Sequence, residues 1–159
     1  MKIELKKCGI IGLILGAAFI TFSCGGGGEK SDDGEAPVSM VEQEETVDPM
    51  KDKGIGPIKS LTLGAEIDAE LAAAGEKVYN EKCTACHKAE TNYIGPTPKG
   101  IMERRTPEWI MNMILNPEVM VRDNKIAKDL LIEYNGAPMA NQNLTEEEAR
   151  SVLEYFRTL

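Results

Sequence analysis

The sequence predicts an all-α domain over residues 60–159, built from about four helices. This part of the chain contains four stretches in which apolar residues recur every three to four positions. None of its segments alternates apolar and polar residues as a half-buried strand does. Aromatic residues make up only 5% of the sequence, so side chains alone would give so small a domain a thin core. We therefore expect a non-protein group to fill part of the interior.

The first two helices have clear start and stop signals. Asp68 can cap a helix that carries Leu71, Gly75, Val78 and Tyr79 on one face. Thr106-Pro107-Glu108 is typical of a second helix start, with a capping hydroxyl, a proline at the first helical position and then an acid. Asn116-Pro117 is expected to end this helix.

The third and fourth helices are indicated in the same way. Ile126, Leu130 and Tyr134 recur every four residues, and the Asn135-Gly136 pair that follows favours a left-handed end. Thr145 and Glu148 are spaced as a capping box before the last helix. Long loops are left at residues 88–105 and 136–144.

Residues 1–23 are predicted to be a lipoprotein signal peptide. Three lysines precede the apolar, uncharged run Gly9–Phe22, which at 14 residues is short for a membrane span. The run ends in Thr21-Phe22-Ser23-Cys24, which resembles the lipobox of bacterial lipoproteins. That resemblance implies acylation of Cys24, which would anchor the protein to a membrane without spanning it.

Residues 24–59 are predicted to be an acidic linker that contains glycine and proline. The more apolar stretch Gly54–Ile58, followed by Leu61 and Leu63, is a candidate for packing against the domain. The chain has a net charge of −8, which argues against nucleic acid as a partner. Its mean hydropathy of −0.26 excludes a protein with several membrane spans.

One pentapeptide carries the chemistry. Cys83-Thr84-Ala85-Cys86-His87 is the attachment signature of c-type haem, in which both cysteines form thioethers and the histidine binds the iron. A disulfide and half of a zinc site are the alternatives. Zinc would require further ligands, and His87 is the only histidine in the chain.

The second axial ligand cannot be histidine, because there is no second one. Methionine is the usual soft alternative. Of the eight methionines we expect Met139 to be the ligand, since it lies in the loop between the last two helices. Met120 is the alternative.

These features resemble class I monohaem cytochromes c, and the resemblance covers nearly the whole domain. In that family a glycine and an aromatic residue on the first helix pack against the last helix. Gly75 and Tyr79 match this pair, and Tyr155 with Val152 matches its partner.

The same resemblance implies several haem contacts. The carbonyl of Pro96 in Gly95-Pro96 would orient the ligand imidazole. Arg104 or Arg105, together with Trp109, would reach the haem propionates. The residues of this site would carry electrons, and no enzymatic activity is expected.

A closer resemblance is to small lipid-anchored cytochromes of Bacteroidetes. It is carried by the string from Arg104 to Pro117 and by the Gly-Pro-Ile sequence at residues 56–58. Relatives of this kind occur beside nitrous oxide reductase systems and in respiratory chains. The implied partners are a quinol-oxidising electron donor and an acceptor that is a terminal reductase or a haem-copper oxidase. The implied location is the cell envelope, facing the periplasm or the cell surface.

Two other functions remain open. A haem-based gas sensor or haem enzyme would require an open iron position. A fixed haem subunit of a respiratory complex would co-purify with its neighbours.

Overall fold

The computed structural model describes residues 47–159, which contain five α-helices, one short 3₁₀ helix and no strand. The helices are α1 (Ala69–Lys82), α2 (Pro107–Leu115), α3 (Pro117–Asp123), α4 (Lys125–Glu133) and α5 (Glu146–Phe156), and the 3₁₀ helix spans Ile101–Glu103. The all-α prediction is therefore confirmed for this part of the chain. The predicted signal peptide, Cys24 and the linker up to residue 46 lie outside the described residues.

The predicted helix ends are confirmed by the hydrogen bonds of their caps. The Asp68 side chain accepts two backbone N–H groups at the start of α1, and the Thr106 side chain accepts one in α2. Thr145 and Glu148 form the predicted capping box of α5. The Asn135-Gly136 pair closes α4 with φ values of 58° and 73°.

One helix departs from the prediction. The Asn116-Pro117 pair does end α2 at Leu115, but Pro117 then takes the first position of α3. A proline is favourable there because the N–H it lacks would have no partner within the helix. The predicted end of α2 is therefore confirmed, and α3 is a short helix that is additional to the four predicted ones. As a consequence Met120 lies in a short helix, completely buried.

The largest helix contact is that between α1 and α5, and a glycine makes it possible. A Cβ atom on Gly75 would lie only 1.9 Å from the carbonyl oxygen of Ser151. One turn further along α1, the ring of Tyr79 packs 5.3 Å from that of Tyr155 and 5.8 Å from that of Phe156, measured between centroids. This crossing holds the carboxyl end of α1 in place, and the Cys-X-X-Cys-His sequence begins there.

A buried carboxylate reinforces the same pair of helices. Glu154 of α5 accepts a hydrogen bond from the Asp68 backbone at 2.9 Å and pairs with Arg150 at 2.5 Å and Arg157 at 2.6 Å. Burial raises the pKa of Glu154, but the Asp68 hydrogen bond and the two arginines outweigh this and lower it below the usual value. The ionised carboxylate thus joins the start of α1 to α5.

Residues 48–61, which we call the strap, pack along α2 and α3. Ile58 is buried, and its backbone N–H and carbonyl both bond to the Asn112 side chain, at 3.0 and 2.9 Å. The Asn112 amide also donates to the carbonyl of Lys53 at 2.9 Å. Packing therefore begins well before residue 60, so the stretch 48–59 belongs to the domain and not to the linker.

Other polar side chains of the helices have partners in the strap as well. The Thr106 hydroxyl donates to the Asp52 carbonyl at 2.6 Å, and the Glu108 carboxylate accepts from the Leu61 N–H and pairs with Lys53, each at 3.2 Å. Thr106, Glu108 and Asn112 are all buried. Without the strap, each of them would lose a hydrogen bond in the interior.

Within residues 47–159, no helix combines the length and apolar character that crossing a bilayer requires.

We predict that a protein starting at residue 60 is less stable than one starting at residue 47. Each buried polar group left without a partner costs about 1–3 kcal/mol, so removing the strap should lower the free energy of unfolding by about 3 kcal/mol or more. Denaturant unfolding of the two haem-loaded proteins measures the difference. Equal midpoints and slopes would mean that the strap contributes no stability.

Candidate functional site

The two cysteines and the histidine follow directly on α1. Cys83 is the C-cap residue, and its carbonyl accepts hydrogen bonds from the N–H groups of Cys86 (3.1 Å) and His87 (2.9 Å). The chain thus makes one further turn and brings all three side chains to the wall of the same cavity. Burial, and to a smaller extent Cys86, raises the pKa of the Cys83 thiol to about 11, whereas Cys86 is exposed.

The imidazole of His87 is oriented by a backbone carbonyl. His87 Nδ1 lies 2.8 Å from the carbonyl oxygen of Pro96. A carbonyl can only accept, so Nδ1 carries the proton and Nε2 keeps its lone pair for a metal. A Cβ atom on Gly95 would lie 2.5 Å from the His87 ring, so glycine at this position lets the loop come close to the imidazole.

The cavity beside these residues has a volume of about 240 Å³ and is mostly apolar. Apart from the loop that carries Met139, its walls come from α1 and the turn after it, residues 94–105, and helices α2, α3, α4 and α5. Its aliphatic lining includes Ile101, Ile110, Met113, Ile114, Val121, Leu130 and Leu144. The apolar lining, drawn from every helix of the domain, suits a large apolar group.

The structure separates the two methionines that the sequence left as candidate ligands. Met139 is half-buried and lines the cavity. Met120 does not line it, is completely buried, and its Sδ accepts a hydrogen bond from the Ile55 N–H at 3.0 Å. Of these two candidates, Met139 is therefore the one that shares a cavity with His87.

The two arginines at the cavity have different roles. Arg104 donates to the carbonyls of Lys99 (2.9 Å) and Thr97 (3.1 Å), so its guanidinium holds the loop that follows Pro96. Arg105 lies over the ring of Trp109, with its Cζ 5.2 Å from the ring centroid. Its Nε is buried without a hydrogen-bond partner, so Arg105 is able to meet an anionic group in the cavity.

Trp109 lines the cavity, but its indole N–H already has a hydrogen-bond partner within the protein. Nε1 donates to Asn124 Oδ1 at 3.2 Å, and Trp109 as a whole is 2% exposed. The indole N–H expected to reach a propionate is thus already bonded inside the protein. Its contact with the cavity is through the ring.

The residues that line the cavity fit a haem. The Tyr79 hydroxyl and Arg105 Nε are buried polar atoms without partners, and both residues line the cavity. Burial, assisted by Cys83 and Tyr155, raises the pKa of Tyr79 to about 12, so its hydroxyl remains a donor. Within residues 47–159, no group of three or more His, Cys, Asp and Glu side chains is arranged as a metal site, which gives the zinc alternative no support there.

Sequence reasoning missed two parts of this site. Phe156 lines the cavity and packs edge-on against Tyr79, although only Tyr155 and Val152 were expected there. Asn124 and its neighbour in the strap, Asp52, were not expected near the site at all. Phe156 could have been found from its place in the apolar pattern of α5, whereas the strap contacts join positions more than 50 residues apart.

Comparison with known proteins points to one family. The model of the Cytochrome c family matches residues 72–159. Cytochrome c from Rhodothermus marinus is 45% identical, with a TM-score of 0.63, over 65% of this chain and 88% of that one. An engineered cytochrome c from Rhodothermus marinus is 44% identical, with a TM-score of 0.62, over 65% of this chain and 89% of that one. No curated protein is significantly similar.

Another structure of the engineered Rhodothermus marinus protein is bound to a carbene intermediate. It is 44% identical, with a TM-score of 0.60, over 65% of this chain and 88% of that one. Residues 72–159, which the family model matches, hold the Cys-X-X-Cys-His turn, most of α1, all of α5 and the loop with Met139.

Proposed function

Because the chain belongs to the cytochrome c family, we propose that it is a membrane-tethered monohaem cytochrome c that delivers single electrons to a terminal reductase or oxidase. The chain has the class I cytochrome c fold, and the family supports the role of a haem electron carrier. One observation supports this most directly. His87, oriented by Pro96, and Met139 line the same apolar cavity as the two cysteines.

Each residue would have a distinct part in holding the haem. Cys83 and Cys86 would attach it through thioethers, and His87 Nε2 and Met139 Sδ would bind the iron. Bound there, the haem supplies an iron that changes between the ferrous and ferric states. The protein keeps Nδ1 of His87 protonated on Pro96, surrounds the group with aliphatic side chains and presents Arg105 to its acidic groups.

The open-site alternative has less support than electron transfer. A gas sensor or haem enzyme requires an iron position that no side chain of the protein occupies, and Met139 lines the cavity. A fixed haem subunit of a respiratory complex would use the same residues, so it differs from the proposal only in how firmly the partner is bound.

The cellular setting is proposed from the sequence. Acylation of Cys24 would anchor the protein to the cell envelope, facing the periplasm or the cell surface, and the acidic segment would act as a tether. A quinol-oxidising complex is the proposed donor, and nitrous oxide reductase or a haem-copper oxidase is the proposed acceptor. A tether of this kind raises the local concentration of the carrier near such partners.

The docking face is proposed to lie around Cys86, because this exposed cysteine would attach the haem at the surface. Tyr93 and Ile94 are 59% and 46% exposed, and Lys88 lies 5.2 Å from the Tyr93 ring centroid. Among the described residues, neither Lys82 nor Lys88 pairs with a carboxylate, whereas Lys99 is paired with Glu90. The face is therefore an apolar centre with unpaired basic residues beside it, suited to an acidic partner.

The first prediction concerns attachment. Mass spectrometry of the mature protein should show one added haem that survives extraction with acid and acetone. The Cys83→Ala/Cys86→Ala double variant should lose the group under the same treatment. Complete extraction from the unaltered protein would contradict covalent attachment.

The second prediction concerns the axial methionine. Met139→Ala should lower the midpoint potential by roughly 0.1 V or more, a fraction of the ~0.8 V range that axial ligands control, because a thioether favours ferrous iron. It should also abolish the sulfur-to-iron charge-transfer band of the ferric protein. Met120→Leu is the matched control and should leave both unchanged, and a reversed outcome would make Met120 the ligand.

The third prediction concerns docking. The Lys82→Glu/Lys88→Glu variant should reduce an acidic redox partner about tenfold more slowly at low ionic strength, and salt should narrow the gap. Stopped-flow kinetics measures this. The Lys77→Glu/Lys128→Glu variant carries the same change of charge at positions away from the cavity. Its rate of partner reduction should fall much less. Equal effects of the two double variants would place the docking surface elsewhere.

A further inference from the structure

A chain of hydrogen bonds connects the indole of Trp109 to the strap. Trp109 Nε1 donates to Asn124 Oδ1 at 3.2 Å, and Asn124 Nδ2 donates to Asp52 Oδ2 at 2.7 Å. Oδ1 of Asn124 also accepts the Ala127 N–H at 3.0 Å. With two donors at its oxygen and a carboxylate at its nitrogen, the amide has only one satisfactory orientation. Asp52 therefore helps to hold Trp109 through Asn124.

Asp52 is itself fixed at several points. Its carbonyl accepts the Thr106 hydroxyl at 2.6 Å, and its Oδ1 accepts the Gly54 N–H at 2.7 Å. Gly54 has a φ of 70°, and a Cβ atom there would lie 2.8 Å from Met120. Since Thr106 caps α2 and Asn124 caps α4, Asp52 bonds to the start of both helices. A residue held in this way can fix others at small entropic cost.

The Asp52 carboxylate also acts on the cation at the cavity wall. Burial, the largest effect, lowers the pKa of Arg105, and the neighbouring Arg104 lowers it further. Asp52 and Glu133 oppose both and favour the charged guanidinium. Geometry places Asp52 in the same neighbourhood, because Asn124 links it to the indole over which Arg105 lies and its carbonyl accepts from Thr106, the residue after Arg105.

We propose that Asp52 is a positioning residue of the haem site, which holds the Trp109 indole through Asn124. Its carboxylate also places a negative charge beside the cavity wall to which Arg105 belongs. The electrostatic part rests on the proposed function, because it concerns the potential of a bound haem. The part that concerns the indole does not. A negative charge near the iron stabilises the ferric state, so Asp52 lowers the midpoint potential relative to a neutral residue.

Three variants of the full mature protein separate these parts. Asp52→Asn removes the charge but keeps one oxygen that can accept from Asn124. Asp52→Ala removes the charge and the acceptor together. Asp48→Asn is the matched control, since it removes the same charge from an exposed position of the strap that pairs with Lys51.

Spectroelectrochemistry tests the electrostatic part. We expect an upward shift of the midpoint potential in Asp52→Asn and Asp52→Ala, and none in Asp48→Asn, where solvent screens the charge. A merely structural role for Asp52 would lower stability and leave the potential of Asp52→Asn unchanged. That outcome, or an equal shift in the control, overturns this part.

The single tryptophan of the chain supplies the second readout. Its indole N–H gives one resonance in a ¹⁵N-correlated spectrum of the ferrous protein, and its exchange with solvent can be followed directly. In Asp52→Ala this exchange should be roughly fivefold to tenfold faster, as expected when a supporting hydrogen bond is lost, and in Asp48→Asn it should be unchanged. Unchanged exchange in Asp52→Ala overturns the positioning part.

Failure of the proposed function would look different from either result. An unaltered protein that carries no haem has no midpoint potential to measure. The indole exchange of its variants would still report whether Asp52 holds Trp109.

Discussion

The close crossing of α1 and α5 is the contact on which the rest of the structure depends. At Gly75 the two helix backbones approach so closely that a Cβ atom would meet the carbonyl oxygen of Ser151 at 1.9 Å. The rings of Tyr79, Tyr155 and Phe156 pack directly beyond this point, and Glu154 joins the start of α1 to α5. The crossing therefore fixes the position and rotation of α1. The turn with Cys83, Cys86 and His87 inherits both, because Cys83 is the C-cap of that helix.

Local signals in the sequence were sufficient for most of the helices and for the core of the site. Caps such as Asp68 and Thr145 act on backbone groups two to three residues away, so their effect can be read from spacing alone. The Cys-X-X-Cys-His spacing is local in the same sense. The Asn116-Pro117 pair ends α2 as predicted, but the pattern does not reveal α3, because a proline after a helix end is equally suited to begin the next helix.

The sequence marks Gly54–Ile58 as a candidate for packing, but it does not place the strap on α2 and α3, because those contacts are non-local. A signal was present on the other side of the interface. Glu108 and Asn112 lie four residues apart on one face of α2, a helix that is otherwise strongly apolar and almost wholly buried. Buried polar groups require partners, so these two residues predict that something polar covers α2. They do not identify the covering segment, because their partners Lys53, Ile58 and Leu61 lie about 50 residues earlier in the sequence.

The polar residues around the cavity illustrate how little the type of a residue says about its role. Arg104, Arg105 and Trp109 all border the cavity, and the resemblance implies that one of the two arginines, together with Trp109, reaches the propionates. Arg104 instead bonds to the loop carbonyls that follow Pro96, and the indole N–H of Trp109 bonds to Asn124. Of these three residues, Arg105 is the one that keeps a buried donor without a partner. Groups that already have hydrogen-bond partners in the protein, such as Arg104 and the Trp109 N–H, shape the cavity. A buried donor that has no partner, as in Arg105, is available to a ligand.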